Sequence, residues 1–387
     1  MTSEEKQFKY CTNCGTKNAK SAKFCKQCGT PFASNQSQAT THSERESHEE
    51  NRSTIMGSAT AKLNSWTGGH GEVKISLRNF FSEVFKKHTQ SEAEEIFIVG
   101  TPKTTPSIED VSVQEVHPWL FSRVFVFVLF LSALLYELLN LSNQTAVFIV
   151  MLLFIGVAVP VSALVLFFES NALKNITFYQ VAKITLVGGV LSLIVTMIAI
   201  GIFGQENSDD INLVSALMIG LREETAKILV AVYFIYRMKP KSIFEGLLIG
   251  AAVGTGFAAF ENMQYIINAL QDGGGIAYAF KRTLSSVSDH TEWCAISSSG
   301  IILATGGNKF KISDLINIKF LRFFIFVVAI HACWDWSVFN GFIKELALCV
   351  ITWTMVLVLM HAGLREIREI KEQASVSMDA ESQVAKS

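Results

Sequence analysis

Net charge is almost absent from this chain: 33 Lys and Arg stand against 34 Asp and Glu over 387 residues, which leaves −1. The balance excludes reading a nucleic-acid or acidic partner from the total, so only local charge is informative. An apolar run is missing from the first thirty residues, which are polar and lysine-rich and hold four of the seven cysteines. That excludes the core of a secretory signal peptide, and the first apolar span is expected to act as its own targeting signal. No disulfide framework is implied, because Cys294, Cys333 and Cys349 fall in apolar stretches as packing residues. Residues 33–65 have almost nothing to bury and read as a disordered linker.

Apolar residues are abundant, at 50% of the chain with a mean hydropathy of +0.34. They cluster from about Trp119 to Gly363 in runs near the ~20 residues that span a bilayer. We expect an all-α polytopic membrane domain over 119–362 with eight spans, near 119–139, 146–168, 181–203, 212–236, 243–268, 289–305, 321–341 and 345–362. It follows a juxtamembrane segment, 66–118, and precedes a polar tail, 363–387. Arg237, Lys239, Lys241, Lys309, Lys311, Lys319, Arg322, Arg365 and Arg368 fall on one side, against Lys281, Arg282 and Lys344 on the other. Both termini are therefore expected in the cytosol of a cell whose plasma membrane the chain crosses. Between Val73 and His88, Val73, Leu77, Phe80, Phe81, Val84 and Phe85 recur at helical spacing among basic residues. This predicts a basic amphipathic helix, lying on the membrane surface or packed with the EEIFIVG segment.

Cys11-x2-Cys14 and Cys25-x2-Cys28 each carry a glycine after the second cysteine, Gly15 and Gly29. Four thiolates so spaced can close a structural Zn2+ site over residues 1–32, and the metal would supply stability that so small a module lacks. Redox CxxC pairs usually keep a βαβ context, which is absent here. Four thiolates leave no open position for catalysis. The segment resembles zinc ribbons appended to bacterial membrane proteins, which implies a cytosolic protein partner; nucleic acid is not expected, since only Phe24, Lys23 and Lys26 offer a suitable surface.

Within the apolar half, the fourth span holds Arg222, Glu223, Glu224 and Lys227 about midway along its length. Ionisable groups at that depth cost several kcal/mol unless paired or hydrated. Lys227 stands four residues from Glu223 and three from Glu224, so it can neutralise either. In the fifth span Gly246, Gly250 and Gly254 recur every fourth residue, a seat for a neighbouring helix, and Glu261 with Asn262 follows on about the same face. The seventh carries His331 and Asp335 four apart, where the carboxylate can fix the imidazole tautomer. His290 opens the sixth span, after Arg282. A carboxylate that takes a proton from water, with imidazoles holding an oxyanion, would hydrolyse a carbonyl compound in such a site. The same residues also suit proton- or ion-coupled transport, or a non-catalytic scaffold in which Glu223 and Lys227 lock two helices. Transporters commonly show internal repeats, and none is evident here.

The ordered set EETAK, GFAAFEN, an arginine-led segment ending in histidine, and HACWDW resembles the PrsW-type intramembrane proteases, which are similar to CAAX-processing endopeptidases. The resemblance covers roughly residues 119–362. It implies catalytic roles for Glu223, Glu224, Glu261, His290 and His331, supported by Lys227, Phe257, Asn262, Arg282 and Asp335. It also implies cleavage of a membrane-protein substrate, such as an anti-sigma factor, in or near the bilayer. The histidines are either oxyanion donors or ligands of a second metal.

Overall fold

The structure, a computed structural model, describes residues 8–10, 16–19, 22, 26, 46–142, 144–204, 211–271, 276–338 and 341–384. The chain divides into two units, Met1–Ile55 and Met56–Ser387. In the first, strand β1 (Phe8–Tyr10) pairs antiparallel with β2 (Lys17–Ala19), in the register Phe8 opposite Ala19. Cys11, Cys14, Cys25 and Cys28 lie outside the described residues, as does the acidic loop 205–210.

The second unit is helical. After α1 (Glu46–Trp66), α2 (Leu77–Phe80) and α3 (Gln90–Phe97) come α4 (Leu120–Ser142) and α5 (Thr145–Ser170). Next, α6 (Phe178–Lys183) passes through one π-helical turn, Ile184–Gly188, into α7 (Gly189–Phe203). Then follow α8 (Leu213–Met238), α9 (Ile243–Gln271), α10 (Ile276–Ser285), α11 (His290–Thr305), α12 (Ile318–Asp335) and α13 (Phe342–Val384).

All eight expected spans are helical through most of their length. Among the described residues, five stretches are long and apolar enough to cross a membrane: Leu120–Leu141, Thr145–Ser170, Phe178–Phe203, Ile243–Asn268 and Phe342–Ala374. The count by length and composition is thus lower than eight. Helix α11 is short, at 16 residues; α8 is interrupted by Arg222, Glu223, Glu224 and Lys227, and α12 by Lys319, Arg322 and Asp335. Those same three helices carry most of the polar groups described below.

Helix α9 occupies the centre, touching α5, α7, α8, α11 and α13. Its glycine stripe is the reason α11 can lie so close. A Cβ at Gly246 would sit 3.1 Å from the Ser299 Cα, one at Gly250 2.3 Å from the Cys294 carbonyl oxygen, and one at Gly254 2.0 Å from the His290 carbonyl oxygen. Helix α8 begins at Asn212, whose side chain accepts from the Val214 and Ser215 amides, and ends at Lys239 with φ +55 ahead of Pro240.

Three expectations at the flanks need correction. Of the expected disordered linker 33–65, residues 33–45 lie outside the described residues, and the remainder is helical from Glu46. In the second unit the end of α1 is anchored by Trp66, edge-on to Phe323 at 5.8 Å, and by Asn64, whose Oδ1 accepts from Arg365 at 3.0 Å. The amphipathic helix over 73–88 shrinks to the single turn Leu77–Phe80. Asn79 is drawn into tertiary bonds instead, its amide donating to Glu115 and its carbonyl accepting from His117. The tail 363–387 continues α13 as far as Val384, with Leu364 and Ile367 buried and Lys371 donating to the Glu109 and Val111 carbonyls. These bonds place 56–118 and the far part of α13 at one end of the bundle.

Glu169, near the end of α5, reaches the start of α4. Its carboxylate accepts from the Trp119, Leu120 and Phe121 amides at 3.0, 2.8 and 2.8 Å, an N-cap supplied from a different helix. Glu169→Ala removes every acceptor from those three donors. We expect it to lower stability by about 1–2 kcal/mol, read as a reduced unfolding midpoint in detergent with α4 losing amide-exchange protection first.

Candidate active site

Five helices bring their ionisable residues to one place. Helix α8 presents Glu223, Glu224 and Lys227, α9 Phe257 and Glu261, α10 Arg282, α11 His290, and α12 His331 and Asp335. An unbroken polar chain connects them. Arg282 Nη2 donates to Glu261 Oε2 at 2.8 Å, and the same oxygen accepts from His290 Nε2 at 2.6 Å. Lys227 Nζ donates to His290 Nδ1 at 2.5 Å and lies 2.7 Å from Glu224 Oε1. Glu224 Oε1 also accepts from His331 Nδ1 at 2.7 Å.

The donor inventory fixes one tautomer. A lysine ammonium can only donate, so His290 Nδ1 accepts and its Nε2–H faces Glu261. Phe257 lies beneath this junction, its ring centroid 4.4 Å from Lys227 Nζ and 4.9 Å from the His290 ring. Glu224 and Lys227 are fully buried, which a desolvated pair tolerates only with close contact and further hydrogen bonds. Glu224 Oε1 meets both conditions, while its Oε2 makes no hydrogen bond.

Glu223 differs from its neighbour. Oε2 of each makes no hydrogen bond, but Oε1 of Glu224 is held by Lys227 and His331, whereas Glu223 stands off at 3.7 Å from His331 Nε2 and 3.8 Å from Lys227 Nζ through its Oε2. It lines a cleft of about 520 Å³ together with Glu261, His290, Trp293, His331 and Asp335. Lys344 and Glu345, at the start of α13, form part of the rim. The cleft therefore opens at the end of the bundle opposite the one where Arg365 and Lys371 hold the polar flanks.

The supporting candidate Asn262 turns away from the cleft, as does Arg222 of the same charged run on α8. Asn262 is fully buried and donates to the Gly156 carbonyl of α5 at 3.1 Å, and Arg222 donates to the Gly204 carbonyl. The sequence reading also passed over residues that belong to the cleft. Trp293 packs 4.7 Å from the His331 ring and 5.2 Å from the His290 ring, and Tyr265 stacks under Arg282 at 4.7 Å. Helical spacing could have signalled both, since Trp293 is three residues from His290 and Tyr265 four from Glu261.

One oxygen of Glu223 and one nitrogen each of His290 and His331 lie within 4.8 Å of one another, a carboxylate and two imidazoles of the kind that hold a catalytic divalent ion. The His331 ring supports that fit. If neutral and donating Nδ1–H to Glu224, it turns an Nε2 lone pair toward Glu223 Oε2 and toward Asp335 Oδ2, 3.3 Å away, an arrangement that a cation between them would stabilise. Both His290 nitrogens are already engaged, so to hold an ion His290 would have to give up either its Lys227 bond at Nδ1 or both the proton and the Glu261 bond at Nε2.

The residues that line this cleft fall within a stretch that is similar to known proteins. Residues 177–361 match the model of the PrsW family intramembrane metalloproteases, and residues 10–32 match a zinc-ribbon domain. Protease PrsW of Oceanobacillus iheyensis is 29% identical over 113 residues, 29% of this chain and 50% of that protein. The chain thus spans about half the length of the curated relative it matches. No solved structure matches.

Proposed function

We propose that the chain, whose residues 177–361 match the model of the PrsW family intramembrane metalloproteases, hydrolyses a peptide bond of a membrane-protein substrate in the cleft. The observation that carries this is the unequal pair on α8: Glu223 lines the cleft beside two imidazoles, while Glu224 is fully buried with its Oε1 held between Lys227 and His331. Glu223 takes the proton of the attacking water, and Glu224 orients His331 and balances Lys227. His331, held also by Asp335, and the His290–Glu261–Arg282 arm face the oxygen on which negative charge develops. Were Glu223, His290 and His331 instead to hold a divalent ion, it would act as a Lewis acid and make bound water more acidic.

The basic loops and both termini lie on the cytosolic side in this reading, so the cleft opens toward the other face of the plasma membrane, and an anti-sigma-like regulator would be cut on that side. The ribbon holds a structural Zn2+ through Cys11, Cys14, Cys25 and Cys28, which the zinc-ribbon match over residues 10–32 supports, and docks a cytosolic protein. The test compares membrane-protein fragments in cells making the intact chain or the Glu223→Ala/Glu224→Ala double variant at matched levels. Fragments present only with the intact chain are expected. Indistinguishable samples under several stress conditions would remove the protease reading and turn attention to ion-coupled transport.

A further inference from the structure

Pro160 interrupts α5 and has no backbone N–H, so the Gly156 carbonyl, four residues earlier, loses its helical partner. In lipid an open carbonyl must find a donor inside the protein. It finds Asn262 on α9, whose Nδ2 donates to it at 3.1 Å, and the adjacent Ile155 carbonyl accepts from Thr283 Oγ1 of α10 at 2.9 Å. Thr255 adds a third tie to the Pro160 carbonyl at 3.3 Å. Gly156 lets α9 come this close, since a Cβ there would sit 2.9 Å from Met263 Cγ.

The placement of these ties is telling. Asn262 is the neighbour of Glu261, and Thr283 the neighbour of Arg282. The two carbonyls therefore clamp the residues next to an ion pair that is 2.8 Å long and whose carboxylate also receives His290. We propose that the Gly156 carbonyl freed by Pro160, together with the neighbouring Ile155 carbonyl, holds the Glu261–Arg282 arm in register with His290, with Asn262 and Thr283 as positioning residues. The proposal deepens the protease reading and rests on it for its catalytic meaning.

A variant pair separates positioning from simple stability. Asn262→Ala strands the Gly156 carbonyl, and adding Pro160→Ala supplies a backbone N–H that satisfies it. The full chain is placed in lipid nanodiscs with ring-15N histidine, the His290 resonance is identified by its loss in His290→Gln, and unfolding midpoints are recorded alongside. Asn262→Ala should lower the midpoint and move the His290 Nε2 resonance. Pro160→Ala/Asn262→Ala should recover most of the midpoint while the resonance stays displaced, because the tie to α9 is still missing. Thr283→Val should displace it, and Thr283→Ser should not.

Recovery of the resonance together with the midpoint, or no displacement in either Asn262→Ala or Thr283→Val, would overturn the proposal. None of these readouts needs a substrate, so they stand apart from the fragment comparison that tests proteolysis. Where cleavage is measurable, displaced variants should turn over about 10–100-fold more slowly at little-changed KM.

Discussion

Glu223→Gln is expected to cut the cleavage rate at least about 100-fold, the scale of a lost general base, while the protein inserts and unfolds as the intact chain does. Glu224→Gln is expected to lose cleavage and stability together. The two residues are adjacent in sequence but not in circumstance. Glu223 Oε2 has no hydrogen bond and its side chain borders the cleft, so making it neutral strands no partner. Glu224 is completely buried against Lys227 at 2.7 Å and His331 at 2.7 Å. Removing its charge leaves a lysine in the bundle interior without its nearest counter-ion, a change of roughly 3–5 kcal/mol for a broken buried pair. Cleavage of a co-expressed membrane substrate and thermal unfolding in detergent, run on both variants, separate the roles. Undiminished cleavage by Glu223→Gln would move the base elsewhere; a stable, inactive Glu224→Gln beside an active Glu223→Gln would exchange the assignments.

The residues that converge here were visible in the sequence for one physical reason: charge in an apolar helix stands out against its background. Glu223, Glu224, Lys227, Glu261 and His331 needed no more than that. Their pairing was not visible, because the rotation of five helices about their axes is set by packing. The Lys227–His290 bond and the Glu261–Arg282 pair follow from where α10 and α11 come to rest. Asn262 shows the limit most clearly. Beside Glu261 it read as a supporting group, yet a helical step of about 100° turns it to α5 and the Gly156 carbonyl. The flanks were misread for a related reason. Composition registers what a segment can bury by itself, whereas α1 ends in contacts with Phe323 and Arg365, about 260 and 300 residues away. Apolar periodicity over 73–88 likewise could not anticipate that His117 and Glu115 would claim Asn79.

Gly254→Ala should be among the most damaging substitutions that touch no charged group. Sequence spacing alone marked Gly246, Gly250 and Gly254 as a seat for another helix, and α11 occupies it. At Gly254 the added methyl would meet the His290 carbonyl oxygen at 2.0 Å and the Thr291 Cα at 2.9 Å. These are backbone atoms, so no rotamer change relieves the overlap and α11 must shift as a unit. Overpacking typically costs about 1–3 kcal/mol, but here the displaced residue is His290, whose two ring nitrogens join Lys227 to Glu261. A shift near 1 Å at such a group can cost about 100-fold in rate, so activity should fall further than stability. Gly201→Ala is the matched control, since a Cβ there meets nothing within 4 Å; it should unfold and cleave as the intact chain does. Equal behaviour of the two variants would mean that α11 is not held against the α9 stripe in the membrane. The contact between Gly254 and His290 could then no longer explain how the imidazole is placed.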